Sequence, residues 1–187
     1  MKYIDPDGKS DDIRMGGRKL KDSALFDFIV TNAESRNLIG KNYSTDPDNV
    51  YVCTTFASEI AGIFSYSDYD AVNEYFPGGQ LVIDNINILK ERGGLIETKQ
   101  GENPSEGVYF FYYKYKDSES GHTGIVYFDK NGNQKILHNG SNKEDGPDNV
   151  NLWERSSAAG DIRLWMDSKN PNGEIYFKKI EEDVWME

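Results

Sequence analysis

Cysteine is almost absent from this chain, since its 187 residues include a single thiol, Cys53. One cysteine excludes an internal disulfide framework and a cysteine-rich zinc site, so we expect no metal and no cofactor. No apolar run approaches the roughly 18 residues that a membrane-spanning helix needs, and the N-terminus lacks the apolar stretch of a signal peptide. We therefore expect no membrane insertion and no conventional export signal.

Basic residues are also scarce, because 21 Lys plus Arg stand against 32 Asp plus Glu and give a formal net charge of −11. Proteins that bind nucleic acids gain affinity mainly by neutralising phosphates, so this charge argues against a nucleic-acid partner. It argues equally against an anionic membrane surface. The hydrophobic share of 37% and charged share of 28% are ordinary for a folded domain.

The order of the predicted elements indicates the fold class. Residues 1–20 lack apolar periodicity and are predicted to be a flexible tail or linker, which leaves one domain over residues 21–187. Apolar spacings of three and four predict helices, and apolar or aromatic runs between turn residues predict strands. The helices are expected from the N-cap pair 22–23 to about 35, over 50–64 and over 79–92, and the strands over 108–115, 124–128, 134–138, 162–166 and 174–180. Helices followed by strands describe an α+β domain.

Three residues of the chain could carry nucleophilic chemistry. Cys53 lies in the first turn of the second predicted helix, where free backbone N–H groups and the helix dipole favour a thiolate. His122 begins an apolar strand, and His138 lies on the returning arm of the same hairpin. A base on one strand, oriented by a polar residue on the next, is typical of thiol–imidazole hydrolases. The alternative is that Cys53 fills the core, as most free helix cysteines do.

The number of residues in the hairpin loop decides whether the two imidazoles lie on the same face of the sheet. If Asn131-Gly132 forms a two-residue turn, His138 falls opposite Ile125 and its side chain leaves the face that carries His122. A three-residue loop, or a bulge in either arm, returns both rings to one face as diagonal neighbours. Asn139 and Asn142 are therefore also candidates for the orienting role.

Three segments resemble the NlpC-like peptidases and amidases of papain fold, which act on bacterial cell walls. They are Val52-Cys53-Thr54-Thr55-Phe56, His122-Thr123-Gly124-Ile125-Val126-Tyr127 and Ile136-Leu137-His138-Asn139. The resemblance implies a papain-like domain in which N-terminal helices pack on an antiparallel sheet. It also implies Cys53 as nucleophile, His122 as base and a third polar residue that orients the base. A family tyrosine that helps to form the oxyanion hole has Tyr43 as its nearest counterpart and Tyr51 as a weaker one.

A second resemblance concerns the start of the chain. Residues 3–9, Tyr-Ile-Asp-Pro-Asp-Gly-Lys, are similar to the motif that closes the core of Rhs-type toxins just before their variable toxic domain. This similarity implies a secreted effector or toxin domain, delivered to the periplasm or a target cell by a larger carrier or specialised system. An immunity protein is then an expected partner.

Together these patterns predict a cysteine hydrolase that cleaves an amide bond, with a peptide bond of bacterial peptidoglycan as the expected substrate. Val52 and Thr54 stand where the family usually has Asp and Ser, which leaves the substrate open. One alternative is an amidase, deamidase or acyltransferase that acts on a protein target. The other is a non-catalytic acidic binding module.

Overall fold

The computed structural model describes residues 22–41, 52–65, 69–99, 102–140, 149–155 and 172–180. Within these ranges four α-helices precede six strands: α1 (Asp22–Ser35), α2 (Val52–Ala61), α3 (Ala71–Tyr75), α4 (Val82–Arg92), β1 (Leu95–Glu97), β2 (Gly107–Lys114), β3 (Gly121–Phe128), β4 (Gln134–Gly140), β5 (Asn149–Arg155) and β6 (Glu174–Lys179). The α+β class is confirmed. The predicted tail 1–20, the predicted strand 162–166, Tyr43, Tyr51 and Asn142 lie outside the described residues.

The three longer helices form where the sequence predicts them, because each carries an apolar stripe at helical spacing. In α2 the stripe is Phe56, Ala57 and Ile60, all fully buried. A 3-10 turn over Gly62–Phe64 then completes the predicted helix 50–64. None of the helices in the described ranges is long and apolar enough to cross a bilayer.

The six strands form one antiparallel sheet in the order β1-β6-β2-β3-β4-β5. The last strand of the chain, β6, therefore lies between β1 and β2. One face, which we call the helix-side face, packs on the helices through residues such as Phe110, Tyr112 and Ile125. The opposite face, here the second face, carries its own apolar cluster, which includes Phe111 and Val126. Strand β2 is buried on both faces, as its aromatic run predicts.

The β3–β4 hairpin closes through a three-residue loop rather than a two-residue turn. The backbone N–H of Asp129 donates to Asn133 O at 3.0 Å, and that of Gly132 donates to Asp129 O at 2.9 Å. Gly132 has φ of +80°, the left-handed conformation that this loop requires. The resulting register places His138 opposite Gly124 instead of Ile125.

Candidate catalytic site

The two imidazoles of the chain meet on the second face of the sheet. His138 lies opposite Gly124, and His122 precedes Gly124 by two positions, so both side chains point to the same side. His122 Nε2 lies 2.9 Å from His138 Nδ1, and the ring planes are nearly perpendicular at 86°. His138 is fully buried and His122 is 7% exposed. A direct hydrogen bond therefore joins the rings across the diagonal of the hairpin.

Gly124 makes this diagonal contact sterically possible. A Cβ atom at position 124 would lie 2.7 Å from the Cβ of His138 and 2.8 Å from both Leu137 O and a ring carbon of Phe111. Real Cβ atoms do not approach that closely, so any side chain here would displace the His138 strand or the ring. The glycine in the His122-Thr123-Gly124 motif thus creates the space that His138 occupies.

The helix that carries Cys53 begins where the β3–β4 ladder ends. The ladder stops at the pair Gly124–His138, although both strands run two or three residues further. At this opening Asn139 Nδ2 donates to Val52 O at 3.4 Å, and the backbone amide of Thr123 lowers the pKa of Cys53. The first turn of α2 is therefore held by β4, and the residue that follows His122 influences the thiol.

Opposing influences act on the thiol of Cys53, which is half-buried. Burial raises its pKa, whereas hydrogen bonds from the backbone of Thr123, from Thr54 and from its own backbone lower it. Burial dominates, so the pKa of Cys53 lies above its ordinary value. The backbone groups at the helix start lower the pKa, as the sequence predicts, but burial outweighs them, and position in a helix carries no information on desolvation.

Burial also favours the neutral form of His122. Desolvation lowers the pKa of His122 to about 4, since the packed second face disfavours an imidazolium ion. The ring of Phe111 contributes to this environment, with its centroid 5.8 Å from that of His122. At neutral pH the resting state therefore consists of a neutral thiol and a neutral imidazole.

The candidates for the orienting role separate onto different faces. His138 contacts the ring of His122. The neighbouring Asn139 is fully buried and contacts the start of α2 through its side-chain amide. Asn139 thus contacts the helix that carries Cys53, while His138 contacts His122.

Sequence reasoning missed one residue at this site, Tyr115. It follows β2, and Tyr113 of that strand pairs directly with His122 in the register. The Tyr115 ring packs on Tyr113 at 5.9 Å, so it lies on the second face with the imidazoles. Burial and the charge of a Cys53 thiolate raise the pKa of Tyr115 to about 12. The predicted strand 108–115 includes Tyr115, and the period of two from Tyr113 was the signal that could have placed it on the face of His122.

The structure joins the two imidazoles by a hydrogen bond and places the start of the helix that carries Cys53 beside strand β4. Across the described ranges, no three His, Cys, Asp or Glu side chains form a group that could hold a metal ion. A scan against protein-family models, a search of curated proteins and a search of solved structures each found no match to this chain.

Proposed function

We propose that this chain is a papain-like cysteine hydrolase that cleaves an amide bond, with Cys53 as nucleophile, His122 as general base and His138 as the residue that orients it. The observation that carries the proposal is the 2.9 Å hydrogen bond between the two imidazoles. It supports the proposal because a third group that orients the base is part of a thiol–imidazole triad, and the amide of Thr123, which lowers the pKa of Cys53, directly follows His122. A helix start that brings a thiol to an antiparallel sheet bearing the base supports the papain-like assignment.

The hydrogen bond can form with either ring as the donor, and the mechanism uses the tautomer that leaves an acceptor nitrogen free on His122. When His122 Nε2 carries the proton and donates to His138 Nδ1, the lone pair of His122 lies on Nδ1 and can accept a proton. The thiol proton of Cys53 then moves to Nδ1 as the sulfur attacks the amide carbon and its oxygen becomes an oxyanion. The resulting imidazolium returns that proton to the leaving amine as the C–N bond breaks.

A second half-reaction regenerates the enzyme. Neutral His122 takes a proton from water, whose oxygen attacks the thioester carbon. The C–S bond breaks, the acid is released and the sulfur recovers its proton. Because the resting thiol and imidazole are both neutral, proton transfer accompanies the attack instead of preceding it.

For the substrate we propose a peptide bond of bacterial peptidoglycan, reached after secretion or carrier-mediated delivery. Support comes from the similarity of the His122–Tyr127 strand and the Cys53 helix start to cell-wall peptidases. An amidase, deamidase or acyltransferase acting on a protein is the second candidate. The formal charge of −11 favours this second candidate, because an anionic wall repels an acidic enzyme.

The proposal is tested by following Cys53 and the substrate separately. The wild-type protein is incubated with p-nitrophenyl acetate, and the acetylated residue is located by mass spectrometry, with Cys53→Ala and His122→Ala as comparisons. We expect acetylation at Cys53 and its loss in both variants. Purified peptidoglycan is then digested and its fragments are weighed. Unchanged muropeptides from an enzyme that does acetylate would remove the cell-wall substrate, and an inert Cys53 would support the binding module instead.

A further inference from the structure

The tyrosines of β2 and the tyrosine that follows this strand differ in the hydrogen bonds of their hydroxyls. Within the described ranges the hydroxyl of Tyr109 donates to Ser105 O at 2.9 Å, and that of Tyr112 donates to Tyr75 O at 2.6 Å. The Tyr113 oxygen accepts from the backbone N–H of Gly173 at 3.1 Å. These three hydroxyls are used to stabilise the fold.

Tyr115 differs from these neighbours, since its hydroxyl makes no hydrogen bond to another described residue. Its ring is nevertheless fixed, because it packs edge-on against Tyr113 and its backbone N–H donates to Ser120 O at 3.2 Å. The residue is half-buried, so protein covers part of the side chain and part of it is accessible. A rigid, accessible donor is what a site needs to bind a charge that develops during reaction.

The position of Tyr115 relates it to His122, and the charge of a Cys53 thiolate acts on its hydroxyl as well. It lies two residues after Tyr113, which pairs with His122, so Tyr115 and His122 are diagonal neighbours on the second face. His138 occupies the corresponding diagonal on the other side of His122. The base is thus flanked by its orienting residue on one strand and by a phenol on the other.

We propose that Tyr115 is a catalytic residue that donates its hydroxyl hydrogen bond to the carbonyl oxygen of the substrate and stabilises the oxyanion formed when Cys53 attacks. This inference rests on the proposed function. The phenol keeps its proton throughout, because its pKa is raised to about 12 and a donor is therefore present at every working pH.

The test compares two reactions of the same sulfur. Acetylation by p-nitrophenyl acetate passes through an oxyanion, whereas alkylation by iodoacetamide does not. Tyr115→Phe removes the hydroxyl and keeps the ring that packs on Tyr113. We expect acetylation of Cys53 to slow by about 100-fold, the typical effect of removing one oxyanion donor, while alkylation proceeds at the wild-type rate.

Tyr109→Phe is the matched control, because it removes a hydroxyl from the same face at the far end of β2. We expect it to acetylate and alkylate like the wild type. Equal loss of both reactions in Tyr115→Phe, or loss of neither, would overturn the oxyanion role. Failure of the wild type to acetylate at Cys53 would instead overturn the proposed function itself, and the role of Tyr115 with it.

Discussion

Charging His122 should destabilise the folded protein, and the size of the effect follows from its burial. Desolvation lowers its pKa from 6.5 to about 4 in the folded state. The unfolded chain therefore binds a proton at His122 between these two values, while the folded protein does not. The free energy of unfolding must therefore fall as the pH decreases from 6.5 to about 4. Below about pH 4 the loss that His122 causes is complete.

The size of this loss is set by the difference between the pKa values of His122 in the unfolded and folded states. Each pKa unit corresponds to 1.36 kcal/mol, so the interval between 6.5 and about 4 amounts to about 3 kcal/mol. A loss of that size is a large part of the 5–15 kcal/mol that ordinarily separates folded and unfolded states.

Carboxylates titrate in the same range, so a matched variant is needed. The pKa values of Asp129 and Glu174 are lowered by hydrogen bonds from Asn133 and Tyr176 respectively, and their protonation also destabilises the fold as the pH falls. His122→Gln keeps these groups and removes the imidazole. Urea denaturation of both proteins at pH 7, 5.5 and 4 separates the shared loss from the part that belongs to His122.

We expect the wild type to lose about 3 kcal/mol more than His122→Gln between pH 7 and pH 4. Because the chain has only two histidines, NMR titration of their ring protons gives the pKa of His122 directly. Parallel losses in the two proteins, together with a ring that titrates near 6.5, would refute the inference that the second face excludes water from this imidazole.

Two further predictions concern the same site. Gly124→Ala should lower the free energy of unfolding by about 1–3 kcal/mol through overpacking and should disrupt the bond between the imidazoles, because the new Cβ meets His138 at 2.7 Å. Gly62→Ala is the control, since its Cβ would meet its nearest neighbour at an ordinary 3.8 Å; equal denaturation midpoints for both variants would contradict the steric argument. The acetylation rate of Cys53 should stay level as the pH falls from 7 to 5 and decline only near pH 4, where His122 gains its proton; a decline centred near 6.5, with circular dichroism unchanged, would show an ordinary solvated base.

The helices and the central strands could be predicted because their signals are local. The stripe of α2 and the aromatic run of β2 each identify their element from neighbouring residues. Strand β1 gives no such signal, since it has three residues, exposes Ile96 and forms by pairing with β6 some eighty positions later. Strand β5 and the five-residue helix α3 were missed as well.

The hairpin register depended on one side chain. The Asn131-Gly132 pair suggests a two-residue turn, yet Asp129 Oδ1 accepts from the backbone N–H groups of Asn131 and Asn133 at 2.7 and 2.9 Å. These bonds stabilise the longer loop, which brings His138 to His122. The sequence was thus compatible with two registers of the hairpin, and one of them brings the imidazoles together. The pKa shift of His122 could not be foreseen, because it depends on the packing of strands that are distant in the sequence.

The opening between β3 and β4 has a consequence for how variants of this protein should be interpreted. The backbone amide of Thr123 lowers the pKa of Cys53, and the preceding residue, His122, bonds to His138. Three elements, α2, β3 and β4, therefore contribute to the surroundings of these side chains. Substitutions that move β3 along its axis should alter the bond between the imidazoles and the surroundings of the thiol at the same time.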